Sequence, residues 1–293
     1  MKAILRTLLA ALVLCLAGCR EPPLREAPLK AATLADGARI AYKTLGTGGG
    51  EPIVFIHGFG CDMNAWTHQA AHFSKERKAI FIDLPGYGRS DKPQTAYTLP
   101  YFAAAVKAVL DREKAGRVIL VGHSLGTPVC RQFVYDFPGR AARLVDVDGV
   151  YCFYPADAAT TAAYKEFAGS FRSEGLRETI AGFVESLCTP QTPAAVKEYA
   201  LSAMPDTPGF VAASTMENLI DEKYWTNGVI AVPTLVLASV NSQIPPDYRE
   251  IMQGLYPDLR YGELSGIGHF IMMEEPEMFN ARLDDFLANP AKK

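Results

Sequence analysis

After residue 18 the chain has no apolar run long enough to cross a bilayer, so no later segment reads as a membrane span. It has no repeat and no low-complexity tract, and that excludes collagen, coiled coil and a disordered polymer. It has no excess of one charge either. Lys and Arg number 29 against 32 Asp and Glu, interspersed, for a net charge of −3, so nothing points to a nucleic-acid partner. What the chain does have is apolar material: 49% of its 293 residues are hydrophobic and 10% aromatic, enough to bury a sizeable core. Length alone suggests two domains, although one α/β unit often runs to about 250 residues.

The amino terminus is a separate object. Lys2 and Arg6 precede an apolar run, Leu8 to Leu16, that is too short for a stable span and has the form of a secretory signal. It ends in Leu16-Ala17-Gly18-Cys19, which resembles the bacterial lipobox. That resemblance implies cleavage before Cys19, a diacylglyceryl group on its sulfur and an acylated amine. Two or more acyl chains anchor stably where one binds only marginally. The alternative is an ordinary signal peptide with an incidental cysteine. Arg20 after the cysteine resembles the pattern sent to the outer membrane, so the expected place is the cell envelope, facing the periplasm. Residues 19–32, with Pro22, Pro23 and Pro28, read as an extended tether.

Beyond it, short apolar strands alternate with amphipathic helices. The strands are expected at Arg39–Leu45, Pro52–His57, Ala79–Asp83, Arg117–Gly122, Leu144–Asp148, Thr234–Ala238 and Leu259–Leu264. The helices are expected at Ala65–Phe73, Pro100–Lys114, Leu125–Phe137, Tyr248–Leu255 and Pro276–Leu287. In the second of these, Phe102, Val106, Val109 and Leu110 share one face. Such alternation implies an α/β fold with a mostly parallel twisted sheet covered by helices on both faces. Residues 33–150 and 229–293 carry this pattern. Residues 151–228 are helix-rich, broken by Pro190, Pro193, Pro205 and Pro208, and read as a helical cap over the sheet's carboxyl end.

The chemistry is concentrated in Gly122-His123-Ser124-Leu125-Gly126, a G-x-S-x-G between an apolar strand and a helix. That context is what a nucleophile elbow requires, since the two glycines let the flanking backbones pack closely. Three further motifs occur in order: His57-Gly58-Phe59-Gly60, Asp83-Leu84-Pro85-Gly86-Tyr87-Gly88-Arg89-Ser90 and Gly266-Ile267-Gly268-His269-Phe270. Together they resemble the α/β-hydrolase superfamily over about residues 33–290. The resemblance implies Ser124 as nucleophile, His269 as base, and an oxyanion hole from the backbone N–H groups of Phe59 and Leu125. A serine hydroxyl is a poor nucleophile until a base takes its proton, and histidine titrates in the range where it can accept and return one. His57 and His123 read as structural.

The third member of the triad departs from the commoner pattern. Many relatives carry the acid after the penultimate strand, where this chain has Asn241. An amide holds imidazole but adds no charge, and such a change elsewhere lowers turnover by about 10⁴. Some relatives place the acid one strand earlier, and that strand ends here in Asp146-Val147-Asp148-Gly149. Strand alternation sets Asp146 and Asp148 on one face, and only Asp148 reaches the carboxyl end, so Asp148 is the assigned acid. Asp247, or Asn241 acting alone, remain as alternatives.

A serine nucleophile implies an acyl-enzyme, and so esters, lactones, thioesters or amides. The default is a carboxylesterase acting on a small apolar ester-like substrate, with Tyr151, Phe153, Tyr154, Phe167, Phe171 and Phe183 as an apolar wall. The alternatives are a carbon–carbon bond hydrolase and a decayed binding or sensing protein on the same fold. No cofactor is called for, and no metal, because His68 and His72 lack a third ligand nearby. With Cys15 lost and Cys19 lipidated, four cysteines remain, and Cys152 with Cys188 is the favoured bridge.

The anchor is directly testable. Cys19→Ser is expected to abolish incorporation of labelled lipid and to block processing before residue 19. Continued lipid labelling of that variant would exclude the lipobox reading.

Overall fold

A computed structural model of the chain describes residues 23–152, 157–173, 175–225, 228–240 and 247–289. Eight strands form one sheet: β1 (Lys30–Thr33), β2 (Arg39–Leu45), β3 (Ile53–Ile56), β4 (Ala79–Ile82), β5 (Val118–His123), β6 (Ala141–Val147), β7 (Thr234–Ser239) and β8 (Leu259–Leu264). Their spatial order is β1-β2-β4-β3-β5-β6-β7-β8, with β1 and β2 antiparallel and every pair from β4 to β8 parallel. Strands β3, β4 and β5 are buried along their whole length, as an interior parallel sheet covered on both faces demands.

Helices α1 (Thr67–Phe73), α2 (Leu99–Arg112) and α3 (Gly126–Asp136) connect the first half of the sheet. Helix α2 opens on Thr98, whose side chain accepts the Tyr101 N–H, with a proline in its first turn. Its expected face, Phe102, Val106, Val109 and Leu110, is fully buried. Each such side chain contributes about 1.5–3 kcal/mol by leaving water. On the other side of the chain, Phe55 of β3 stacks on Phe81 of β4 at 5.0 Å and meets Trp66 at 5.1 Å.

Between β6 and β7 lie α4 (Ala158–Ser170), α5 (Leu176–Leu187), α6 (Ala194–Ala203) and α7 (Gly209–Leu219). This helical cap is joined to the core by polar contacts. Tyr87 donates its hydroxyl proton to Thr215 Oγ1 at 2.8 Å, and Tyr199 donates to Asp62 Oδ1 at 2.9 Å. Helices α8 (Tyr248–Leu255) and α9 (Pro276–Ala288) complete the flanks. Among the described residues, no helix is long and apolar enough to cross a membrane.

Two expectations are corrected. The segment read as an extended tether is ordered from residue 23 onward, with a helical turn at Pro23–Glu26 and then the edge strand β1. Leu24 is fully buried, and the Lys43 ammonium donates to the carbonyls of Leu24 and Arg25 at 2.8 and 3.0 Å. The strand escaped notice because only Ala32 of its four residues is buried, too little apolar surface for a periodic signal. The bridge favoured between Cys152 and Cys188 is not formed: Cys61, Cys130, Cys152 and Cys188 are all free thiols. Cys130 is a small buried hydrophobe in α3. Residues 1–22, including Cys19, lie outside the described residues.

His57 locks the loop after β3 to the end of β4. Its Nδ1–H donates to the Gly58 carbonyl at 2.8 Å, and its Nε2 accepts the Leu84 N–H at 3.0 Å. Burial pushes its pKa down to about 4. From its ordinary value of about 6.5 down to about 4, the unfolded chain binds a proton there that the folded chain refuses, so stability falls as pH falls through that window. Urea midpoints at pH 7 and pH 5 are expected to differ more for the wild type than for His57→Gln. Equal differences would show that His57 does not contribute to acid lability.

Candidate active site

The residues singled out by sequence emerge from the carboxyl ends of adjacent strands, where open α/β sheets carry their sites. Ser124 follows β5 with φ of +50°, a left-handed conformation that costs a serine energy and turns its side chain off the sheet. The turn is held by Ser124 N–H to the Val147 carbonyl at 3.0 Å and Thr127 N–H to the Ser124 carbonyl at 3.0 Å. Its flanks have no room for side chains. A Cβ on Gly122 would lie 2.4 Å from the Gly126 carbonyl oxygen, and one on Gly126 would lie 2.3 Å from that of Ile56.

Asp148 follows β6, also left-handed at φ +46°, and its N–H reaches the Leu237 carbonyl at 2.8 Å. Its Oδ2 lies 2.6 Å from His269 Nδ1. A carboxylate oxygen accepts, so Nδ1 of His269 presents its N–H to Asp148. The other lone pairs of Asp148 are taken by Ser239, whose N–H reaches Oδ1 at 2.7 Å and whose hydroxyl lies 2.9 Å from both oxygens. Asp247, the alternative acid, is exposed at the start of α8. Asn241 lies outside the described residues. Asp146 serves a different purpose. Fully buried, it accepts from Thr127 Oγ1 at 3.0 Å and from the Tyr151 hydroxyl at 2.6 Å, and burial pushes its pKa up to about 6.

Ser124 and His269 line one cavity with Gly58, Phe59, Cys61, His123, Phe183, Leu187, Met204 and Phe270. It has room for about one water molecule. Phe59 is in this wall, meeting Phe171 at 5.2 Å and Phe183 at 5.9 Å, both from the cap. Phe167, farther out, packs on Phe171 at 5.1 Å and is 41% exposed. Leu125 turns its side chain into the core and stands at the amino end of α3, the positive end of the helix dipole. Of the aromatics expected in the wall, Phe183 reaches the cavity and Phe171 backs Phe59. Tyr151 belongs to the Asp146 cluster instead, and Phe153 and Tyr154 lie outside the described residues.

His123 is structural in a specific way. Its Nε2–H donates to the His269 carbonyl at 3.0 Å, and the two rings lie 4.6 Å apart. Burial first, and then the neighbouring His269, pushes its pKa well below the ordinary value, so it stays neutral. His72 pairs with Asp284 on the surface at 2.6 Å. Among the described residues no cluster of His, Cys, Asp or Glu is arranged to hold a metal ion.

Sequence reasoning missed Ser239, Glu274 and Thr192. Ser239 had a faint signal, a hydroxyl at the carboxyl end of an otherwise apolar strand. Thr192 had none, because its partner is 82 residues away.

The α/β hydrolase fold family matches residues 51–276. A non-heme chloroperoxidase from Streptomyces lividans is 36% identical over 120 residues, 40% of this chain and 44% of that protein. A dihydrolipoyllysine-residue acetyltransferase component of an acetoin cleaving system from Pseudomonas putida is 36% identical over 108 residues, 37% of this chain. That match spans only 29% of the acetyltransferase component's own length. Among solved structures, a thermophilic esterase from Thermogutta terrifontis superposes with a TM-score of 0.79 at 23% identity, covering 91% of this chain and all of the other. An N-acyl homoserine lactone degrading enzyme superposes at 0.73 and 24% identity, covering 88% of this chain and all of the other. At these identities the likeness is one of fold. The family match extends over most of the sequence, and the chain belongs to the α/β hydrolase fold family.

Proposed function

We propose that this hydrolase cleaves carboxylic esters, including lactones and thioesters, through an acyl-enzyme on Ser124, and that it does so from a lipid anchor on Cys19 in the bacterial envelope. The observation that carries the chemistry is the 2.6 Å contact between Asp148 and a histidine sharing one cavity with a serine held at φ +50°. In this reading Ser124 Oγ attacks the acyl carbon as His269 Nε2 takes its proton. The carbonyl oxygen becomes an oxyanion facing the N–H groups of Phe59 and Leu125. The intermediate collapses, the bond from the acyl carbon to the leaving oxygen, or to sulfur in a thioester, breaks, and His269 returns the proton to the departing alkoxide or thiolate. Water then repeats the sequence on the acyl-enzyme, releasing the acid and restoring Ser124. Asp148 holds the Nδ1–H tautomer and balances the imidazolium charge.

Esterase and lactone-degrading neighbours of the same fold support this class, since a lactone is a cyclic ester. The reading as a decayed binding protein rests on Asn241 at the commoner acid position, and a carboxylate within reach of His269 supports the enzyme instead. The tight cavity favours short acyl groups, with Phe183 and Met204 as the walls that longer chains must displace.

Three measurements test the proposal on the full chain. A fluorophosphonate probe is expected to label the wild type and not Ser124→Ala; labelling elsewhere, or none, would sink the acyl-enzyme. Asp148→Asn is expected to lower kcat on p-nitrophenyl acetate by about 10³–10⁴ while the protein stays folded. If Asp247→Asn does this instead, the acid belongs to the loop before α8. Phe183→Ala is expected to raise the hexanoate-to-acetate ratio of kcat/KM by about tenfold or more, the worth of a few methylenes in an apolar pocket. An unchanged ratio would show that Phe183 only holds the cap together.

A further inference from the structure

The peptide groups around His269 have an unusual set of partners. The Gly268 N–H donates to Glu274 Oε2 at 2.9 Å, and the Phe270 N–H donates to Glu274 Oε1 at 3.2 Å. One carboxylate therefore clasps the backbone on both sides of the histidine. Between them, the N–H of His269 donates to the carbonyl of Leu187, the last residue of α5 in the cap, at 3.0 Å. The His269 carbonyl in turn accepts from His123. Glu274 Oε2 also accepts the hydroxyl proton of Thr192, a second cap residue, at 2.9 Å. Gly268 is the point of closest approach. A Cβ there would lie 2.6 Å from Glu274 Oε1, 2.8 Å from Thr192 Oγ1 and 3.1 Å from the Leu187 carbonyl oxygen.

We propose that Glu274 is a positioning residue that fixes the His269 loop, and that Thr192 and the Leu187 carbonyl extend this clasp into the cap, so that cap position sets the placement of the base. The proposal rests on His269 being the base of the reaction described above. Its force comes from Leu187, which both lines the cavity and holds the histidine backbone. A substrate that pushes the end of α5 outward also pulls on the peptide of His269. The Glu274 carboxyl takes three donors, from Gly268, Phe270 and Thr192, and so ties the loop to the cap at one point. Displacing a base by about 1 Å can cost about 100-fold in rate, so a clasp on its backbone matters to turnover more than to binding.

The test uses the full chain with Thr192→Val, which removes the cap-side hydroxyl at nearly constant volume, and Glu274→Gln, which turns one acceptor into a donor facing an N–H. Two readouts are taken together: kcat and KM on p-nitrophenyl acetate, and amide hydrogen exchange of the peptide spanning 265–275. Thr192→Val, which also removes the acceptor of the Thr189 N–H within the cap, is expected to lower kcat about fivefold, roughly the worth of the bond to Glu274, with KM unchanged and faster exchange at Gly268 to Phe270. Glu274→Gln is expected to lower kcat about 100-fold, and Glu274→Asp to recover part of that loss. A rate loss that only follows the folded fraction, a rise in KM with kcat intact, or unchanged exchange in Thr192→Val would overturn the proposal. If Glu274→Gln fails to fold, Thr192→Val still decides. If the wild type turns over no ester while exchange responds as described, the clasp stands and the ester reading falls.

Discussion

The close approach of three backbones under Ser124 is the constraint on which the rest depends. Gly122 and Gly126 sit where any Cβ would strike the Gly126 and Ile56 carbonyls, so β3, β5 and the start of α3 meet without intervening side chains. That contact forces the strand-to-helix turn to close within two residues and drives Ser124 into a left-handed conformation. A serine pays for that conformation only because the surrounding hydrogen bonds over-determine it. Everything that can act on its hydroxyl must then arrive from neighbouring strands. β6 brings Asp148, β7 brings Ser239, and the loop after β8 brings His269, all at the same end of the sheet.

Two carboxylates two residues apart, one on β6 and one just after it, illustrate how environment divides roles. Asp146 is sealed in the sheet, where the hydroxyls of Tyr151 and Thr127 satisfy it and Tyr256 continues the chain at 2.5 Å. The guanidinium of Arg131 lies 5.1 Å from the Tyr151 ring and 5.2 Å from Trp225, so cation–π contacts surround this charge in a dry region. A Cβ on Gly149 would strike Asp146 Oδ1 at 2.2 Å, so the chain turns past this cluster only with glycine there. Asp148 lies just beyond it, at the rim, with one face on Ser239 and the other on His269.

The cap is bound to the core by polar pairs and by apolar packing that runs continuously from one into the other. Tyr199 with Asp62, Tyr87 with Thr215, and Thr192 with Glu274 each join a cap helix or loop to a different core loop. Val211, Ala212 and Ala213, fully buried, and Met204, nearly so, belong to that apolar contact, as does Phe59, which meets Phe171 and Phe183. Directional bonds added to that apolar packing hold the cap in a defined position. Access to a cavity of this size requires that some of them give way.

Sequence determined the parts whose physics is local. Runs such as Ile53–Ile56 and Val118–Val121 read as interior parallel strands, Phe102 to Leu110 as one buried helix face, and glycines two residues either side of Ser124 announce an elbow. Those signals sit within a few residues, so they survive in a linear reading. Alternation along β6 put Asp146 and Asp148 on one face, and position at the carboxyl end of the strand was the ground for preferring Asp148. Only tertiary structure decided the rest, because it depends on contacts between distant segments. The Asp148–His269 contact spans 121 residues, and Ser239 reaches Asp148 across 91. Edge strand β1 exists because β2 offers it unpaired backbone, not because Lys30 to Thr33 are strongly strand-forming. Glu274 followed a histidine by five residues and carried no mark in the sequence to show that its carboxylate turns back to clasp that histidine's neighbours and reach the cap.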